Sequence, residues 1–170
     1  MRKIFVAILI LVSINALAQN TPYNISKDPK NDELTFNGPI NFNDLEKESS
    51  FTWLKSGTDE YRPDEQLVNV LKRQLHDYTM VVFLGTWCDD SHYLIPKLEK
   101  ILQITGYPST RLTMFGVNRE KTTKGGEEKK YNITLVPTII LFNNDGKEMG
   151  RITESVQKSI EADLCAMLPH

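Results

Sequence analysis

Cysteine is nearly absent from this chain. Its 170 residues include two, Cys88 and Cys165, so at most one bridge is available. A long apolar run is also missing. The stretch Ile4 to Ile14 falls short of the ~20 apolar residues that a membrane-crossing helix needs. The charge balance, 20 basic against 22 acidic residues, has no basic patch that would argue for a nucleic-acid partner. There is no internal repeat and no low-complexity tract.

What is present begins with a targeting pattern. Arg2 and Lys3 precede the apolar run, and Ala16-Leu17-Ala18 ends it with small residues. This reads as a secretory signal peptide over residues 1–18, cleaved after Ala18. A retained membrane anchor is the competing reading. No cysteine stands near the cleavage site to carry a lipid. Without Arg2 and Lys3 the 20 basic residues become 18 against 22 acidic ones, a net charge of −4. The expected setting is periplasmic or secreted, with no stable membrane anchor after cleavage. The remaining length suits one domain with a hydrophobic core of its own.

Residues 19–32 are polar and hold Pro22 and Pro29, which predicts a loose leader. Residues 33–170 form the expected domain, opening with a short strand near Leu34-Thr35-Phe36 and a helix capped by Asn43. A second helix starts at Pro63, with Leu67, Val68, Leu71 and Leu75 on its buried face. Met80-Val81-Val82-Phe83-Leu84 is apolar on both faces, as a covered central strand requires. A helix follows from Asp89 to Thr105, kinked by Pro96 and stopped by Gly106. Arg111 to Val117 predicts a strand and Lys121 to Lys130 a loop. Thr138 to Phe142, the turn Asn143-Asn144-Asp145-Gly146, and Glu148 to Thr153 predict a hairpin. Ser155 is positioned to cap a last helix.

Trp87-Cys88 at the end of a buried strand, Pro96 eight residues after Cys88, and Val136-Pro137-Thr138 opening a later strand occur in an order that resembles the thioredoxin-like family. The likeness covers about Val81 to Leu168. The resemblance implies an α/β fold with a mixed central sheet flanked by helices, preceded here by an N-terminal extension. It implies a cis bond before Pro137, with Pro137 facing Cys88. Gly85-Thr86-Trp87-Cys88 followed by acidic residues and Ser91 also resembles exported thioredoxin-family proteins of Bacteroidetes type with a Cys-x-x-Ser site.

The resemblance assigns roles residue by residue. Cys88 is the expected nucleophile, and Ser91 stands where a resolving cysteine would be. Trp87, Val136, Pro137 and Glu154 are the expected substrate contacts. Trp87 is read as a partly exposed lid over Cys88 or as loop packing. Val82 replaces a buried aspartate of the family. Asp89 and Asp90 are expected to modulate the Cys88 thiol. Their charge favours the neutral thiol, whereas a helix N-terminus favours thiolate. In this fold Cys88 and Cys165 lie too far apart to bridge, and Cys165 reads as a small buried hydrophobe.

These readings lead to thiol–disulfide exchange through a single cysteine, isomerase-like or dependent on an external thiol. The partner would be an exported protein's thiol or disulfide, or an extended peptide, with an unidentified redox partner. The alternative is a non-catalytic peptide- or protein-binding module in which Cys88 is inert. A third reading is metal handling by Cys88 and His92, four residues apart. Two ligands do not make a site, so no metal residue is assigned and no cofactor is expected. Asn24-Ile25-Ser26 and Asn132-Ile133-Thr134 match the N-glycosylation pattern, which matters only on a eukaryotic secretory route.

Overall fold

The computed structural model describes residues 21–169. The signal peptide expected over residues 1–18 lies outside the described residues. Six strands form one mixed sheet: β1 (Asn24–Lys27), β2 (Leu34–Ile40), β3 (Thr79–Leu84), β4 (Leu112–Gly116), β5 (Thr138–Phe142) and β6 (Glu148–Thr153). Their order is β1-β2-β4-β3-β5-β6. Among the described strands only β3 and β4 run parallel; the other neighbouring pairs are antiparallel.

The central strand β3 explains why both faces of the sheet are dry. Met80, Val82 and Leu84 point to one face and Val81 and Phe83 to the other, following the two-residue period of a strand. On the first face pack α1 (Phe42–Glu46), α2 (Thr52–Glu60), α3 (Glu65–Gln74), α4 (Asp89–Thr105) and α6 (Ile160–Ala166). They contribute Leu45, Leu54, Leu71, Ile95, Leu98 and Leu164, each at most 1% exposed. Burial of each such side chain is worth about 1.5–3 kcal/mol. The opposite face is covered by the chain between β4 and β5, through Val117, Tyr131, Ile133 and Val136. That connection holds the one-turn α5 (Glu127–Lys130).

Local chemistry sets the helix ends. α4 stops at Gly106, whose φ of 67° is left-handed, a conformation that costs glycine little. Asp64 caps α3 by accepting from the Gln66 and Leu67 amides. Two expected caps sit elsewhere. Asn41, not Asn43, caps α1 through a reciprocal pair with Asp44, and Ser159, not Ser155, caps α6. Several cap-type residues stand near each start, and the backbone trajectory selects among them.

The segment expected to be a loose leader contains ordered structure. β1 pairs with β2 from Asn24 opposite Asn37 to Lys27 opposite Leu34. Tyr23 stacks on Phe36 with ring centroids 4.6 Å apart. Polar composition predicted disorder, but one buried aromatic and one ladder anchor the segment.

Candidate functional site

The site forms where β3 ends. Gly85 has no room for a side chain, because a Cβ there would lie 2.7 Å from the Trp87 ring. Trp87 folds back over this space and is 7% exposed. Its Nε1 donates to the Val117 carbonyl at 2.8 Å, and the Arg119 guanidinium lies 4.4 Å from its ring centre. Trp87 is therefore packed and capped, and the expected lid over Cys88 is not what it forms.

Cys88 is the N-cap residue of α4, with no side-chain capping bond there. Its amide donates to the Gly85 carbonyl at 3.0 Å. The half-buried thiol points across to the next segment and donates to the Val136 carbonyl at 3.5 Å. The Val136–Pro137 bond is cis. The Pro137 carbonyl accepts from the Glu154 amide at 2.7 Å, and Glu154 has a left-handed φ of 64°. Thr138 Oγ1 donates to the Leu135 carbonyl at 2.7 Å and pins the turn. Cys88, Val136, Pro137 and Glu154 thus meet in one place. Asp89 and Asp90 lie exposed in the first turn of α4. Leu135, which the sequence reading passed over, precedes Val136 and is 39% exposed.

The expected exchange chemistry does not hold in this arrangement. Ser91 is fully buried, and its Oγ faces inward to accept from the Gly85 amide at 3.2 Å. No second thiol accompanies Cys88. Cys165 lies on α6, where its Sγ donates to the Leu67 carbonyl of α3 at 3.5 Å, and both cysteines are free. Burial raises the Cys165 thiol pKa, and the charges of Glu161 and Asp64 add to the effect. The catalytic pairing of Cys88 with Ser91, the isomerase-like activity, and the narrower likeness to exported Cys-x-x-Ser proteins are corrected accordingly. The side chain in the resolving position supports the backbone instead.

Metal handling fails on geometry as well. His92 Nε2 lies 2.7 Å from the Thr86 carbonyl, so that nitrogen carries a proton. The imidazole stacks on Trp53 with centroids 4.5 Å apart. The Cys88 sulfur has a different partner, the Val136 carbonyl. Among the described residues no group of three or more His, Cys, Asp or Glu is placed to hold a metal ion.

The N-terminal extension completes the site from two sides, which sequence reasoning missed. Thr86 Oγ1 accepts from the Phe36 amide at 3.1 Å and donates to the Leu34 carbonyl at 2.7 Å. Asp28 pairs with Arg119, the residue stacked on Trp87. A chain of neighbouring rings runs from Tyr23 through Phe36, Phe51 and Trp53 to His92. No local signal in the sequence marks the Thr86 and Asp28 contacts, since their partners are 50 to 91 residues apart.

Solved structures with this arrangement of elements exist. An HIV epitope-scaffold superposes with a TM-score of 0.58 at 11% identity, over 76% of this chain and 92% of its own. A protein of unknown function from Pseudomonas aeruginosa superposes with a TM-score of 0.52 at 12% identity, over 72% of this chain and 79% of its own. At these identities the likeness concerns the fold alone. Mitochondrial thioredoxin 3 of Saccharomyces cerevisiae, in its oxidized form, aligns at 21% identity over 58% of this chain and 81% of its own, with a TM-score of 0.35. No curated protein matches the sequence. No described helix is long and apolar enough to cross a membrane. The thioredoxin-like domain family matches residues 63–163, a span that runs from the start of α3 through the Cys88 loop and the cis bond at Pro137 into α6, and the chain belongs to that family.

Proposed function

We propose that this protein is a non-catalytic thioredoxin-fold module that binds an extended peptide or protein segment across Cys88, Leu135 and Glu154. One observation carries the reading. An exposed leucine (39%), Leu135, directly precedes Val136, whose carbonyl takes the hydrogen of the half-buried Cys88 thiol, while the hydroxyl of Ser91 is fully buried against the backbone. That is a contact surface without a resolving group. Leu135 supplies an apolar anchor, and Asp89, Asp90 and Glu154 rim it with negative charge. Complementary charge steers association and selects partners, so basic segments with an apolar residue are favoured. Trp87, Val136 and Pro137 act from beneath, as the packed floor that fixes the contact edge.

The same proposal places the module outside the cytoplasm, after cleavage behind Ala18, with the domain spanning residues 33–170 and the preceding segment joined to it through β1. A net charge of −4 for the cleaved chain, from 18 basic and 22 acidic residues, suits protein partners better than nucleic acid.

The test is a binding screen of the mature chain against extended peptides that vary in charge and apolar content. Basic-apolar peptides are expected to bind. Leu135→Asp should weaken binding by about tenfold or more, equivalent to ~1.4 kcal/mol, and Cys88→Ala should leave it within about twofold. Binding that depends on a covalent adduct of Cys88, or no preference among the peptides, overturns the proposal.

A further inference from the structure

The seam between α2 and α4 contains a carboxyl group that none of the preceding function uses. Trp53, Gly57 and Thr58 of α2 face His92, Pro96 and Glu99 of α4; the α4 residues follow the three- and four-residue spacings that align side chains on a helix. Three contacts join them in register. The Trp53 and His92 rings stack with planes 17° apart. Gly57 meets Pro96 so closely that a Cβ would lie 2.7 Å from the proline Cβ. Thr58 Oγ1 lies 2.6 Å from Glu99 Oε2 and 3.2 Å from the Pro96 carbonyl.

That last contact points to a proton on Glu99. Thr58 has one hydroxyl hydrogen and two acceptors within reach. When Glu99 is a carboxylic acid it donates to Thr58, and Thr58 donates to Pro96, so both contacts are hydrogen bonds. When Glu99 is ionised, Thr58 can serve only one of them. Glu99 is 4% exposed and Thr58 6% exposed. The charged groups facing Glu99 are Glu46 from α1 and Lys55 and Asp59 from α2, around a cavity of about 400 Å³ that Gln103 of α4 also lines. Lys55 and Asp59 pair with each other at 2.5 Å, so Glu46 is the larger of the two like charges acting on Glu99 and Asp59 the smaller.

We infer that Glu99 is a proton-held latch: with its proton it fastens α2 to α4, and without it the seam loosens and Trp53 leaves His92. Burial first, with the charges of Glu46 and Asp59, raises the Glu99 pKa to about 7, against the opposing pull of a hydrogen bond donated by Thr58 to the ionised form. In the loosened chain the same carboxyl ionises near its ordinary value of ~4.3. The latch is therefore fully stabilising below that lower value. It weakens as pH rises, by roughly tenfold in the opening equilibrium per pH unit, and its contribution is gone above about 7. Carboxyls whose pKa is lowered, such as Asp28, Glu128, Glu148 and Glu161, exert their pH effects at or below the ordinary carboxylate range, so the window between is clear of them.

Hydrogen exchange of the α2 amides tests this in the free full-length mature protein, with no peptide present, so the result is independent of the binding proposal. After correction for the intrinsic rate, α2 opening should rise by up to about 100-fold between pH 5 and 7 and then level off, while β5 amides change less. Glu99→Gln should abolish the rise. Glu46→Gln, an exposed change that should leave the fold intact, removes the like charge and lowers the Glu99 pKa, so that the rise levels off at lower pH. His92→Gln should preserve the rise. A rise that survives Glu99→Gln, one that ignores Glu46→Gln, or one that disappears with His92→Gln alone overturns the latch.

Discussion

Asp28 grips Arg119 with both carboxylate oxygens, at 2.7 Å to Nε and 2.8 Å to Nη2. The two residues are 91 positions apart in sequence. The planar guanidinium suits this two-point grip, which a lysine cannot reproduce. Because the same guanidinium covers Trp87, the turn after β1 is tied to the loop that carries Cys88.

This grip has a pH signature. The hydrogen bond from Arg119 holds the Asp28 carboxyl down at about 2, against an ordinary value of ~3.9. A lowered carboxyl pKa stabilises the fold above the ordinary value, and the effect is lost as pH falls through about 2. Asp28→Asn should lower stability at neutral pH by about 1–3 kcal/mol, the usual cost of unmade bonds to a charged group. Urea unfolding at pH 7 and at pH 2.5 should show the difference shrinking at the acidic end.

Thr86→Val keeps the shape of the side chain and removes its oxygen. The Phe36 amide then loses its acceptor and the Leu34 carbonyl its donor. A loss of about 1–3 kcal/mol is expected, with the Phe36 amide exchanging faster and the β5 amides little changed. Exchange mapped by NMR resolves the two.

Gly116 lies on β4 opposite Gly38 of β2. A Cβ at Gly116 would stand 2.1 Å from the Phe36 carbonyl oxygen. Because the obstacle is backbone, the strand itself must move. Gly116→Ala should cost at least about 3 kcal/mol, the upper end of overpacking penalties. Thermal unfolding would measure it, and a change of under about 0.5 kcal/mol would refute the close approach.

The Tyr61 hydroxyl donates to Glu161 Oε2 at 2.6 Å, and the Asp64 amide donates to Oε1 at 3.0 Å. Burial alone would raise the Glu161 pKa, but these bonds hold it below the usual glutamate range. Tyr61→Phe removes one donor from a carboxylate that is 3% exposed. A loss of about 1–3 kcal/mol at neutral pH is expected, fading as the solution is acidified below the ordinary glutamate value of ~4.3 toward the lowered value in the fold. Urea unfolding across pH 3 to 7 would follow it.

Repeating patterns made much of this fold legible in the sequence. The doubly apolar run Met80 to Leu84, the helix from Asp89 to Gly106 and the hairpin after Thr138 all follow from side-chain period, a terminal glycine and turn residues, and they lie where those signals place them. Trp87, Cys88 and Pro137 were legible as a group because their order along the chain is distinctive. Side-chain direction was not legible. Ser91 looks like an active-site hydroxyl in one dimension, but in three it faces the Gly85 amide. Trp87 looks like a lid until Arg119 is seen on its ring. Both depend on partners brought in by the fold, and the leader that supplies Asp28 reads as disordered because its polar composition hides the ladder with β2 and the distant partner Arg119.

The pairing of β2 with β4 has a further consequence. β4 lies inside the sheet only because Gly38, Pro39 and Ile40 occupy its outer side. A chain beginning at residue 63, where the family match begins, would present β4 as a bare edge, with free amides and carbonyls beside the apolar Met114 and Phe115. Such an edge is a template for adding another chain's strand. The segment before α3 therefore protects against self-association, and shortened forms of this protein are expected to aggregate even where their remaining core is intact.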